Sequence, residues 1–156
     1  QGSVMTAAIY EALHESHEIQ RALCRKLLRT KPEGRDRQKV LRELRIELAA
    51  HAAAEERFLY VPMLMDDMGL NSSRHALAEH HEIDECVEDL QKADAEGGSW
   101  LAKAKKLSHK VHHHLREEEK KFFQVSGKIL SETQKKRLAA QYRRDYARMH
   151  RSLAQG

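Results

Sequence analysis

A chain of 156 residues is the size of one domain and buries roughly 70% of the surface that its unfolded form exposes. Hydrophobic residues at 40% and charged residues at 33% exclude wholesale disorder, and aromatics at 5% leave a mostly aliphatic core. The 28 basic residues are intermixed with 24 acidic ones, so the formal charge of +4 describes solvated helix faces, with no interleaved aromatics to stack bases.

Proline and glycine separate long periodic segments. Gln1 to Val4 precede Met5 and read as an added leader, with the native start at Met5. The first helix is expected over 6–29, with Ile9, Leu13, His17, Leu23 and Leu27 near one stripe. Pro32 and Gly34 end it. The second is expected over 36–67, carrying Val40, Leu44, Leu48, His51, Glu55 and Leu59, with its last turns kinked by Pro62. A short connection at 69–72 leads to a third over 73–95, with Leu77, His80, Asp84, Val87 and Leu90. Gly97, Gly98 and Ser99 turn the chain into a fourth over 100–125, with Leu107, Val111, His114, Glu118 and Phe122. Gly127 precedes an amphipathic fifth helix over 131–153, opened by a capping box of Ser131 and Gln134.

Four long helices with short connections predict an all-α, up-down-up-down four-helix bundle over 6–126, with an additional C-terminal helix at 131–153. That helix could pack across the bundle or against a second subunit, which would make a homodimer. Cys24 and Cys86 fall on apolar stripes and read as buried free thiols. Trp100 and Leu101 are expected to staple the start of helix four, and Met63, Leu64, Met65 and Met68 to form core or subunit contacts. No apolar stretch reaches the roughly 20 residues that cross a bilayer, and no signal segment opens the chain, so a cytoplasmic protein is expected without membrane or nucleic-acid partners.

Eleven histidines are present, and each bundle helix carries one in phase with its aliphatic stripe: His17, His51, His80 and His114. Burying four polar rings in one small core costs free energy unless each has a partner. Glu55 and Glu118 follow His51 and His114 by four residues, which places each pair on one helix face. Buried carboxylates need counter-charge, and bound cations supply it. Helices two and four then each offer a nitrogen and a bridging carboxylate, completed by His17 and His80. Imidazole with carboxylate suits iron, with manganese or zinc as alternatives. His81 with Glu85 and His113 with Glu117 repeat the spacing but point away from the stripes, while His14 lies one turn before His17 and reads as an outer residue. His75, His109, His112 and His150 read as exposed.

Four segments carry a family resemblance: LHESH around His17, HAAAEERFLY at 51–60, AEHHEI at 78–83, and HHHLREEEKKFF at 112–123. In this order they resemble the hemerythrin and HHE cation-binding family. The resemblance implies a four-helix bundle around a non-haem di-iron centre of two iron ions, held by His17, His51, Glu55, His80, His114 and Glu118, with both glutamates bridging. Glu56 and Glu119 resemble outer carboxylates that orient ligands or face solvent. Oxygen-carrying members have a histidine where Asp84 stands, so Asp84 is either a further anionic ligand or a solvent-facing residue. Their helix-four carboxylate commonly stands five places after the histidine, which would select Glu119 instead of Glu118.

The resemblance implies binding or sensing of a small diatomic ligand, oxygen or nitric oxide, or iron and redox handling. One alternative is a di-iron oxidoreductase acting on peroxide, nitric oxide or ferrous iron. The chain has no flavin, haem or iron-sulfur motif, so an electron-donor protein would then be required. Another alternative is a metal-stabilised structural or interaction protein, with the basic fifth helix as its binding surface.

Overall fold

The computed structural model describes residues 7–156, and every regular element among them is helical. The expected start at Met5 and the first helical position at Thr6 lie outside the described residues. Helix α1 (Ala8–Leu28) is followed by α2 (Asp36–Glu55), which runs through a five-residue π turn, Glu56–Tyr60, into α3 (Val61–Leu64). Helix α4 spans Asp67–Lys92. Helix α5 (Trp100–Glu117) runs through a second π turn, Glu118–Phe122, into α6 (Phe123–Ile129), and α7 spans Glu132–Gln155. Among the described residues no helix is long and apolar enough to cross a membrane.

Helix α1 packs on α2 and α5, α4 packs on α5, and α2 meets α4, closing the four-helix bundle. The additional helix α7 lies along α1 and α2, across the bundle. Its start carries the expected capping box: Gln134 N–H donates to Ser131 Oγ at 3.1 Å, and Ser131 N–H donates to Gln134 Oε1 at 2.8 Å.

The core comes in two apolar blocks. One gathers Ile9, Leu13, Leu59, Tyr60, Met63 and Phe123 with Leu138 and Tyr142 of α7. The other gathers Leu27, Leu44, Val87, Leu90, Trp100 and Leu107. Along each rod, the residues between the blocks are the polar ones: His17 in α1, His51 and Glu55 in α2, His80 in α4, His114 in α5 and Glu118 at the second π turn. Trp100 is buried with the Arg37 guanidinium 4.1 Å above its ring, so it anchors the start of α5, while Leu101 is exposed. Cys24 and Cys86 are buried free thiols. Met63 is core, whereas Met65 and Met68 are exposed.

Several boundaries differ from expectation. The segment 69–72, expected as a connection, is helical, because the link is tightened to Met65 and Asp66 and α4 opens at Asp66, whose carboxylate accepts from Met68 N–H at 2.8 Å. Gly69 sits within α4 because the chain doubles back onto α3 there: a Cβ would lie 2.6 Å from the Met63 carbonyl oxygen. Likewise Gly127 lies inside α6, and the rod ends only at Leu130, which is extended. Pro62 does not break its rod. It falls in the first turn of α3, immediately after the π turn.

An ordinary glycine-to-alanine change inside a helix stabilises it. At Gly69 the added methyl meets backbone, so Gly69→Ala is expected to lower stability by about 1–3 kcal/mol, read as a fall in chemical-denaturation midpoint.

Candidate metal centre

The four stripe histidines converge in the layer between the apolar blocks, and each ring is held from behind. His17 Nδ1 lies 2.7 Å from Glu119, His80 Nδ1 2.8 Å from Glu56, and His114 Nδ1 2.8 Å from Glu79. A carboxylate only accepts, so each of these Nδ1 atoms carries a proton; His17 Nε2 is left with its lone pair, while His80 Nε2 and His114 Nε2 hydrogen-bond to each other at 3.1 Å, a contact in which one of the two carries a proton. His51 Nδ1 is 2.8 Å from the Tyr142 hydroxyl of α7.

The four Nε2 atoms face two buried carboxylates. His51 Nε2 is 3.1 Å and His80 Nε2 3.5 Å from Glu55 Oε1, while His17 Nε2 is 3.0 Å from Glu118 Oε1 and His114 Nε2 3.7 Å from Glu118 Oε2. These approaches lack hydrogen-bond alignment: His17 Nε2, His51 Nε2, both Glu55 oxygens and Glu118 Oε1 are buried without a hydrogen-bond partner. Two interlocking groups result, His17, His51, Glu55 and Glu118, and Glu55, His80, His114 and Glu118, with the donor atoms of each within 4.8 Å of one another. Buried polar atoms are almost always satisfied, so orphaned lone pairs aimed at shared centres fit cations. Each group offers two nitrogens and two oxygens, and both glutamates belong to both groups.

The π turns explain how a bundle rod delivers this set. Each begins directly at or after a central glutamate, and a five-residue turn brings the residue five places on to the same face. Tyr60 therefore follows Glu55 into the core, and Phe123 follows Glu118. The Tyr60 hydroxyl donates to Glu118, closing the layer on the side of the first apolar block.

The electrostatics follow from burial. Desolvation pushes His17 down to about 4 against the pull of Glu119, and it lowers His114 in the same way. His80 is raised despite burial because Glu56 and Glu55 favour its charged form. Glu118 is pushed well above the usual carboxylate range by burial and by its neighbour Glu55; Glu55 is held low, against burial, by His51. Two carboxylates this close do not both ionise unaided, and cations remove that conflict. Glu119 is only partly buried, and His17 with a bidentate Arg21 holds it down at about 2 against desolvation.

Of the residues singled out in the sequence, six meet in this layer, with Glu118 inside it, while Glu119 forms a further group beside it with His14 and His17. Glu119 and Glu56 stand behind His17 and His80 as outer carboxylates. Asp84 does not join either group. It is exposed, at the rim of a crevice of about 20 Å³ that also touches His51, His80 and His114. His81 and His113 are exposed, and His14 sits on Glu119 at 3.2 Å. His75 and His109 are exposed as expected, but His112 is half-buried on the Ser108 carbonyl and His150 on Glu47. Sequence reasoning missed Tyr142 and Glu79, and it marked Tyr60 with Pro62 only as a family-like aromatic-proline feature, not as a partner of Glu118. Tyr142 was detectable in principle, since it falls in phase with Leu138 on the apolar stripe of α7. An open cleft of about 350 Å³ reaches His114 and Glu118 between α4 and the second π turn, past Ala76, Glu79 and Phe122.

The hemerythrin HHE cation binding domain model matches residues 8–125. Among solved structures the chain is similar to a hemerythrin HHE cation binding domain-containing protein from Mycobacterium kansasii, at 22% identity and a TM-score of 0.81, covering 92% of this chain and 87% of that one. At that identity the likeness establishes the fold. No curated protein sequence matches. With the family match spanning all four bundle rods and the histidine–glutamate layer lying within it, the chain belongs to the hemerythrin HHE cation-binding domain family.

Proposed function

We propose that the chain is a non-haem di-iron protein that binds a small diatomic ligand, oxygen or nitric oxide, in sensing or redox handling. The observation that carries this reading is the sharing of Glu55 and Glu118 between two His-His-Glu-Glu groups, within which His17 Nε2, His51 Nε2, both Glu55 oxygens and Glu118 Oε1 are buried without a hydrogen-bond partner. Two imidazoles and two carboxylate oxygens suit iron; manganese and zinc accept the same donors, but zinc has no redox chemistry. Four protein donors per ion leave iron coordination positions for a small molecule, and bound iron would supply the electron exchange that side chains alone lack.

This chain's own residues set the conditions for that chemistry. The carboxylates behind His17, His80 and His114 fix each ring with Nε2 inward and make it more electron-donating. The cleft lined by Ala76, Phe122 and His114 gives a ligand-sized approach from the surface, while the apolar blocks on either side keep bulk water from the layer. A histidine one turn beyond His80 is absent, and the exposed Asp84 in its place favours sensing or redox handling over oxygen carriage.

Anaerobic reconstitution with ferrous iron is expected to load one iron into each of the two groups. His51→Ala and Glu118→Ala should each lose at least one of them by metal analysis, and unchanged occupancy in both would refute the assignment. Titration of the loaded protein with oxygen and with nitric oxide, followed optically, separates reversible binding from irreversible oxidation.

Metal loading should also stabilise the fold, because the cations satisfy groups that otherwise oppose burial. At free metal a thousandfold above the dissociation constant the gain is about 4 kcal/mol, seen as a rise in Tm that a chelator reverses. Equal Tm with and without iron would count against a metal bound in this layer.

A further inference from the structure

Behind His51 the polar layer continues, away from the cleft. Tyr142, Tyr146 and His150 succeed one another at four-residue spacing along one face of α7, and their rings form a column. The Tyr142 and Tyr146 centroids are 5.7 Å apart with planes 25° from parallel, and Tyr146 to His150 is 5.5 Å. At the inner end Tyr142 meets His51 Nδ1 at 2.8 Å. At the outer end the His150 side chain is 40% exposed.

Alongside the column runs a path for protons. Glu47 is 2% exposed and is the shared acceptor: the Tyr146 hydroxyl reaches its two oxygens at 2.8 and 2.6 Å, Ser16 Oγ donates to it at 2.6 Å, and His150 Nε2 lies 3.0 Å away. Gln20 donates to Ser16 Oγ at 3.2 Å and fixes it. Tyr146 is thus tied directly to a buried carboxylate, and Tyr142 stacks on Tyr146. Packing α7 against α1 and α2 would need neither a buried carboxylate nor a phenol aimed at it, since burying such a group costs free energy that an apolar contact avoids.

We propose that Tyr142 and Tyr146 form an electron relay between the His51 side of the metal centre and the surface at His150, with Glu47 receiving the Tyr146 proton. The relay rests on the di-iron reading and gives it the internal electron path that the absence of a flavin, haem or iron-sulfur motif leaves open. With hydrogen peroxide as oxidant the electrons balance. Reduction of one peroxide to two waters breaks the O–O bond and consumes two electrons and two protons; the electrons leave Tyr146 one at a time and cross the Tyr142 ring, and the two protons come from solvent through the cleft. Each oxidation turns Tyr146 into a neutral phenoxyl radical whose proton is held by Glu47. An external one-electron donor arriving at His150 restores the Tyr146 phenol after each step, with the proton returned from Glu47, so that two electrons from the donor and two protons from solvent are consumed per peroxide.

The test uses the full iron-loaded chain, its iron content measured first. It is mixed with hydrogen peroxide and freeze-quenched for electron paramagnetic resonance, and in parallel treated with a nitroso spin trap and mapped by peptide mass spectrometry. A phenoxyl signal is expected, with a trap adduct at Tyr146. The adduct at Tyr146 should be lost in Tyr146→Phe, a change that keeps the ring and touches none of the centre's own residues, and the signal should fall to the iron-free background in the Tyr142→Phe/Tyr146→Phe chain. Glu47→Gln should weaken it at unchanged iron content. Absence of a phenoxyl signal in the iron-loaded chain, adducts confined to Tyr10 and Tyr60, or a full signal in the double variant would overturn the relay. Should the double variant fail to fold, the adduct map of the unsubstituted chain decides. A chain that takes up no iron is recognised before peroxide is added, and that result overturns the metal reading itself.

Discussion

Two glutamates placed side by side in the middle of an aliphatic core are the constraint to which the rest of the molecule answers. An uncompensated buried carboxylate costs several kcal/mol, and a pair repels itself. Glu55 and Glu118 are both shielded from water and both turned toward imidazole nitrogens, and both Glu55 oxygens and Glu118 Oε1 have no hydrogen-bond donor, while the Tyr60 hydroxyl donates to the other Glu118 oxygen. Cations resolve the conflict for both at once. The bundle then reads as a mould for that resolution: apolar blocks at either end hold the rods at fixed separation, and each rod surrenders one or two core positions to the polar layer.

Orientation is the second requirement. A histidine that can flip or swap tautomers is a poor ligand, so its far nitrogen must be tied. Three rings here are tied by carboxylates from neighbouring elements, and the fourth by a phenol from α7. The C-terminal helix is therefore part of the layer's support. It was separable on paper because its stripe is short of aliphatic residues, but its buried face carries Tyr142, which has the reach and the hydroxyl that His51 needs.

The four bundle histidines and two glutamates were legible because a helix repeats at 3.6 residues, so an in-phase polar residue among leucines advertises its burial. The all-α bundle followed from the same periodicity. Other features were hidden for physical reasons. A π turn has no propensity signature, so the inward swing of Tyr60 and Phe123 could not be read from spacing, which points to Leu59 and Phe122 alone. The link at 69–72 looked like a loop because Gly69 and the serines resemble turn residues; only the approach of the Met63 carbonyl reveals why glycine sits inside a helix. The Tyr142–His51 contact joins positions 91 apart, beyond any local pattern. Asp84 shares the spacing of His51 with Glu55 and of His114 with Glu118, yet α4 lies at the bundle surface there and one turn is enough to carry the side chain out of the layer.

The Tyr142–His51 contact also bears on the order of events at the ribosome. Chains emerge N-terminus first, and contacts between distant positions must wait for the later partner. His17 waits for Glu119, and His51 waits for Tyr142, so all four rings are fixed only after α7 has begun to leave the exit tunnel. A nascent chain that has made only its four bundle rods offers the right donors on loose rings. Capture of metal in its final arrangement is thereby postponed until α7 has emerged and can lock His51 in place.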